Sequence, residues 1–444
     1  MPDSQAITYR HLLHKAWPII LANAAVPLLG LVDTAVIGNF GSLADLGAIA
    51  LGALIFSFVY WSFGFLRMGT TGFAARADGA GDSLEVRAVL GRALLLAGVL
   101  GTSLIALQRP IGWLAFALLD GSDNVEAAAR TYFAIRIWGA PATLAGFACM
   151  GLLIGLGRSK QLLVLQLFLN GLNVLLDVLF AGWLGLGAAG IALGTVLAEW
   201  STLGFAAWLL GRSLRPGNAE RFWPGSRILH GPALLATLSA NLNIMWRTLI
   251  LVFSFAFFIN QSARFGEVVL AANHILLQLI SFSAFFLDGY AFVVESLAGK
   301  ARGRRDLNIF DAVVRRTTEL AALSALLLAL AVLLLGPIAV NVLTDLAEVR
   351  ESAADMRGLA ALYVLLSFAA FQLDGIFIGV SFTRAMRNAA MLSISVFIAA
   401  SWLLLPEFGV TGLWLAMVLY VVARALSLLL YYPALRASIA PASV

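Results

Sequence analysis

The sequence predicts an all-α polytopic membrane protein, with twelve transmembrane helices in two pseudo-twofold-related six-helix lobes around a central cavity. Three observations carry that reading. At 61% hydrophobic and 12% charged, with mean hydropathy +0.93 over 444 residues, the chain holds more apolar surface than a soluble domain can bury. Apolar stretches of about 20 residues, the length that crosses a bilayer as a helix, recur twelve times between short loops. Finally, paired motifs recur half a chain apart, a period too long for a solenoid.

The predicted spans lie near 17–38, 46–74, 89–107, 132–156, 161–182, 188–210, 232–259, 269–298, 318–343, 358–381, 388–404 and 411–434. The run from Ile111 to Leu119 is too short to cross and is expected at the membrane surface. Loop charges set the orientation. The N-terminus, the even-numbered loops and the C-terminal tail hold 19 Lys and Arg against 5 in the odd-numbered loops, which places both termini in the cytoplasm. The expected location is therefore the plasma (inner) membrane, with the loop 211–231 and KARGRRD (300–306) inside. The net charge of +5 is accounted for by this topology, since the basic residues form no groove-like run that would hold nucleic acid. A single cysteine, Cys149, excludes an internal disulfide framework. The opening MPDSQAITYRHLLHK lacks the apolar centre of a cleavable signal, so the first span is expected to direct its own insertion.

The repeat is read from ordered pairs. Asp82 closes ARADGAGD after the second span and Asp306 closes KARGRRD after the eighth, an offset of 224 that also puts Gly79 on Gly303 and Arg76 on Lys300. Gly187-Ala-Ala-Gly190-Ile opens the sixth span and Gly409-Val-Thr-Gly412-Leu the twelfth. Residues 1–210 are thus expected to form one six-helix lobe, 211–231 the inter-lobe loop and 232–444 the second lobe. Because six is even, the copies share an orientation across the bilayer.

These features resemble the multidrug and toxic compound extrusion (MATE) transporters. The resemblance rests on the two-lobe layout, on VDTAVIG in the first span and on the paired GxxGI and GxxGL openings. FLRMGTTG (65–72), LDGYAFVVESLAGKA (287–301) and FQLDGIFIG (371–379) are most similar to the DinF subgroup. The resemblance implies secondary antiport, in which a proton or sodium ion entering down its gradient drives export of organic, often cationic, compounds. It also implies a cation-coupling role for Asp33, Asn173, Asp177 and Thr195, which match the polar cluster of the family's N-terminal lobe.

The residues support that expectation independently. A charge within the bilayer costs about 3 kcal/mol on insertion scales, so intramembrane acids usually face a cavity, pair or titrate. Asp33 lies about one and a half turns below the outer end of the rising first span. On the fifth span Asn170, Asn173 and Asp177 stand at i, i+3 and i+7, along one helix face. Thr195 falls about two turns into the descending sixth span, at a similar depth. The bland alternatives are an interfacial acid for Asp177 and interhelical hydrogen bonds for Asn170, Asn173 and Thr195. Pro18 and Pro27 are candidate hinges in the first span, because proline frees a backbone carbonyl there.

The second lobe carries Asp288 and Glu295 on the eighth span and Asp374 on the tenth, all expected in the inner half. They are candidates for a second ion site, for drug capture, or for pairing with Arg67, and pairing is favoured because a buried arginine needs a carboxylate. Aligning Pro18 with Pro232 puts Arg247 at the place of Asp33, so Arg247 is expected to meet Asp33 when an outer gate closes. Some MATE members carry an acid in the seventh span, and its absence here favours protons over sodium. Trp61, Phe285, Phe286 and Trp414 are candidate cavity aromatics, with packing as the commoner role.

No phosphate loop, HExxH motif or histidine cluster occurs, so no enzyme activity, metal or cofactor is expected. The expected partners are a small-molecule substrate, the coupling proton or sodium ion and the lipid bilayer, with the protein a monomer. A lipid-intermediate flippase is the competing reading. It calls for several cationic residues in the cavity, whereas the sequence offers Arg67 and Arg247.

Overall fold

The computed structural model describes residues 7–119, 122–215 and 222–440, with the side chains of 26–29 and 31 outside the description. Every regular element among these residues is helical. The first half of the chain holds α1 (Tyr9–Phe40), α2 (Leu43–Ser62), α3 (Phe65–Gly79), α4 (Ser83–Ala106), α5 (Gln108–Leu118), α6 (Asp123–Arg136), α7 (Ala140–Gly155), α8 (Ser159–Asp177) and α9 (Gly187–Ser213). The short α10 (Gly225–Ile228) leads to α11 (Gly231–Ala263), α12 (Glu267–Arg304), α13 (Leu307–Leu343), α14 (Ala347–Gly379) and α15 (Thr383–Ala437).

These helices supply the twelve spans. The predicted second span is broken at Phe63 and Gly64 into α2 and α3, and the fourth into α6 and α7 by a 3₁₀ turn at Ile137–Gly139. The 55-residue α15 is two spans, because Gly409 takes φ 53° and ψ −129° in its middle. That left-handed φ suits glycine, and its repeat partner Gly187 adopts φ 54° at the start of α9. α5 is only 11 residues long and exposes Trp113 and Leu118, as befits a surface helix. Large aliphatics and tryptophans such as Leu334, Trp402 and Leu430 point outward along the spans, where lipid is their solvent.

The chain falls into two compact units. One comprises residues 21–74 and 82–238, the other 1–20, 75–81 and 239–444, so α1 gives its first half to one and its second half to the other. Within the first, Ser42 and Asp45 form a reciprocal capping box at the start of α2, and Asp45 Oδ1 also accepts the Ala188 amide of α9 at 2.9 Å. Asp82 caps α4 by accepting the Glu85 amide at 3.0 Å. Within the second unit, its repeat partner Asp306 caps α13 through the Ile309 amide at 2.9 Å. There too, Gly79 lies against the Lys300 backbone and Gly303 against that of Arg76, a reciprocal contact between repeat-related positions that leaves no room for a Cβ on either glycine.

Candidate functional site

In the first unit, α1 and α8 bring Asp33 and Asp177 together. Their carboxyl groups lie within hydrogen-bonding reach of each other. Asp177 is fully buried at the last turn of α8, where the helix loosens into a π-helical segment over Val178–Trp183. Such π segments recur at functional sites because the extra residue per turn re-aims neighbouring side chains. Neither Asp177 oxygen and not Asp33 Oδ1 has another hydrogen-bond donor. Two like charges this close in a low-dielectric interior repel each other. A proton shared between them would serve as the missing donor. α9 closes the group from the other side. Gly194 lies against Asp177 Oδ1, and on the next residue Thr195 Oγ1 accepts from Asn173 Nδ2 at 3.2 Å. Asn173 keeps its own carbonyl oxygen unsatisfied, a turn below Asp177 on α8, and Asn170 Nδ2 is likewise unpaired one turn further down. The four predicted residues thus converge through helix periodicity and the close approach that Gly194 permits.

Sequence reasoning missed the charges beside them. Arg136, the last residue of α6, makes a two-pronged pair with Glu199 of α9 at 2.8 and 2.6 Å, and its guanidinium stands 5.3 Å from the ring centres of Phe56 and Tyr60. Both side chains are buried. Arg136 is within electrostatic reach of both carboxyls of the Asp33–Asp177 pair. The signal was present in the sequence: of 29 Lys and Arg, 24 lie in loops and tails, and Arg67, Arg92, Arg136, Arg247 and Arg424 remain within spans.

In the second unit the structure corrects the expected partners. Asp374 of α14 was favoured as a partner for Arg67 in the inner half; its Oδ2 instead accepts from Arg247 of α11 and, at 2.7 Å, from Arg424 of α15. Arg247, expected to meet Asp33 when an outer gate closes, is engaged with Asp374 in this structure, and the two stand at one depth. Counting residues from predicted span ends misjudged this depth, because α11 and α14 each run 33 residues, about 50 Å, well beyond a 30 Å hydrocarbon core. Glu295 is buried on α12 and Asp288 is half-buried just under two turns before it, while Arg67 is half-buried on α3 of the first unit. Pro18 is buried in the third turn of α1, where its missing N–H leaves the His14 carbonyl without its helical donor. Pro27 is on the helical backbone of α1, but its side chain lies outside the described residues. Among the aromatics, Trp414 belongs to the core, donating its indole N–H to Asn273 Oδ1 at 2.9 Å and meeting Phe258 edge-on.

Twelve apolar spans in two six-span repeats, with titratable groups buried in each half, define a multi-pass membrane transporter rather than an enzyme. The chain belongs to the MatE family, whose model matches residues 18–179 and 243–403. It is 35% identical to DNA damage-inducible protein F of Escherichia coli over 422 residues, 94% of this chain and 90% of that protein. It is 26% identical to Protein DETOXIFICATION 44, chloroplastic, of Arabidopsis thaliana, with 92% and 79% covered. "Probable multidrug resistance protein NorM" of Pasteurella multocida is 24% identical, with 95% and 93% covered. Among solved structures, an outward-facing multidrug resistance MATE family transporter superposes with TM-score 0.84 at 20% identity, covering 97% of this chain and 96% of that one. A MOP superfamily transporter from Pyrococcus furiosus, described as having a binding pocket of reversed polarity, also gives TM-score 0.84, at 18% identity and the same coverage. These two likenesses show the fold.

Proposed function

We propose that the chain is a secondary antiporter in the plasma membrane, with both termini cytoplasmic, exporting organic, cationic or amphipathic compounds in exchange for protons by alternating access. One observation carries the coupling: the carboxyls of Asp33 and Asp177 face each other without a donor other than a shared proton. The names of the NorM relatives support multidrug export as the cargo side of the cycle.

In this reading, Asp33 and Asp177 take up and release the proton. Asn173 and Thr195 hold α8 and α9 in register beneath them. Arg136, held in place by Glu199, puts a positive charge near the pair that limits how many protons it retains. A change in the pair's protonation changes its hold on α1, and Pro18 and Pro27 give that helix places to bend. Sodium is the weaker reading. Some members of the family carry an acid in the seventh span, whereas the seventh span of this chain carries none.

The test is reconstitution into liposomes with an imposed ΔpH or ΔNa⁺ and a fluorescent organic cation. ΔpH is expected to drive export in the wild type and to fail in Asp33→Asn. Cargo-driven proton release retained by Asp33→Asn would remove the carboxyl pair from the mechanism, and export driven by ΔNa⁺ alone would replace the proton.

A further inference from the structure

We propose that Arg247, Asp374 and Arg424 form a binding site for a small monovalent anionic group, either a free halide ion or the carboxylate at the tip of a cargo molecule. Two guanidinium groups from α11 and α15 donate to one oxygen, Asp374 Oδ2 of α14. The three residues are 9%, 8% and 8% exposed, so this is a buried cluster. Arginine does not deprotonate in proteins, so the group carries two positive charges against one negative charge. A buried charge without a counter-charge is strongly destabilising.

The hydrogen bonds tell the same story. Each guanidinium has five N–H donors, and one from each group is used on Asp374. Among the described residues no second acceptor engages either, and the further contact of Arg424 is with the Tyr420 ring, 5.8 Å from its centre. The unused donors border a cavity of about 10 Å³, walled also by Leu251, Met386 and Leu428. That is room for about one water-sized occupant. Size excludes phosphate or sulfate lying wholly inside, and sign excludes a cation. In the first unit Arg136 meets a carboxylate that matches both prongs of its fork; here two arginines divide a single oxygen, and the charge left over is positive.

The inference goes beyond the antiport reading and does not rest on it, because its test measures binding to the resting protein. Full-length protein in detergent is unfolded by heat in rising sodium chloride, with sodium methanesulfonate, whose anion is too bulky for the cavity, holding the ionic strength constant. In parallel, octanoate is compared with its neutral amide, octanamide. A saturable rise of the midpoint with chloride identifies the free halide. A rise with octanoate but not with octanamide, and none with chloride, identifies a cargo carboxylate. Asp374→Asn, which removes the competing negative charge, is expected to tighten anion binding about tenfold, and Arg424→Gln to abolish it. A purely structural triad would lower the midpoint in both variants without altering the anion dependence. The wild-type titration and Asp374→Asn decide the matter even where Arg424→Gln does not fold. A wild type whose midpoint ignores both anions holds only water in the cavity, and that result overturns the proposal.

Discussion

In the first unit the arginine at the site has a carboxylate of its own, and two further carboxyls are left facing each other. In the second unit the ratio is reversed, with two arginines on one aspartate. The same repeat therefore holds an excess of carboxyls at one buried cluster and an excess of guanidinium groups at the other. Repeat-related backbone features, the caps at Asp82 and Asp306 and the left-handed glycines 187 and 409, stay equivalent while the buried charges diverge. The difference teaches that the repeat preserves backbone features, while a few intramembrane side chains set the sign of the buried charge in each half.

The comparison breaks first at the acid pair. Asp177→Asn is expected to reduce ΔpH-driven export to the background of empty liposomes. Asp374→Asn can lower export by unbalancing its two arginines, but the export that remains should keep its dependence on the proton gradient. Equal loss of pH dependence in the two variants, measured by internal dye quenching, would erase the distinction drawn between the halves.

Next in size is the Arg136–Glu199 pair. Glu199→Ala leaves a buried guanidinium uncompensated, and breaking such a pair costs about 3–5 kcal/mol. Replacing both partners, as Arg136→Met with Glu199→Leu, is expected to be nearly neutral for stability, because desolvation and attraction are removed together. Unfolding in mixed micelles measures both. A double variant as unstable as the single one would show that the pair is a net stabiliser. Gly194→Ala comes third. A Cβ there collides with Asp177 Oδ1, and overpacking of this kind costs about 1–3 kcal/mol. Export should fall more than stability does; unchanged export would mean that Asp177 tolerates displacement.

Much of this was legible in the sequence. The convergence of Asp33, Asn173, Asp177 and Thr195 could be read from helix periodicity and depth counting, since all lie within about two and a half turns of a predicted span end, where counting errors stay small. Arg136 was overlooked because a lone charge near a span end reads as snorkelling toward headgroups, and Glu199 and Arg424, near the middle of their predicted spans, belong to no motif that would pair them. Their partners are set by contacts between helices far apart in the chain. The break at Gly64 and the π segment after Asp177 were not legible either: a glycine inside an apolar run is usually a packing residue, and a π turn has no composition of its own. Asp374 was found but not its partners Arg247 and Arg424, which come from helices far apart in the chain.

The smallest effect expected lies outside the membrane, at one of the two repeat-related caps. Asp82 accepts the Glu85 amide, and both its carboxylate oxygens accept from a single nitrogen, Nη1 of Arg227 of α10, at 2.8 and 2.6 Å. Burial pushes its carboxyl up, but the Glu85 amide and the Arg227 guanidinium outweigh it and hold the group below the usual carboxylate range. A pKa depressed by folding stabilises above the unfolded value of about 3.9, and that contribution disappears as pH falls through the lower folded value. Asp82→Asn keeps a good cap and removes only the charge. With Asp82 39% and Arg227 42% exposed, the pair is worth under about 1 kcal/mol. The thermal midpoints of wild type and variant should therefore differ by a small constant amount above about pH 5 and converge below about pH 4. A gap that persists unchanged at pH 3 would assign the difference to the shape of the side chain rather than to its charge. In that case the cap at Asp82 would act as Asp306 does, through the helix end alone.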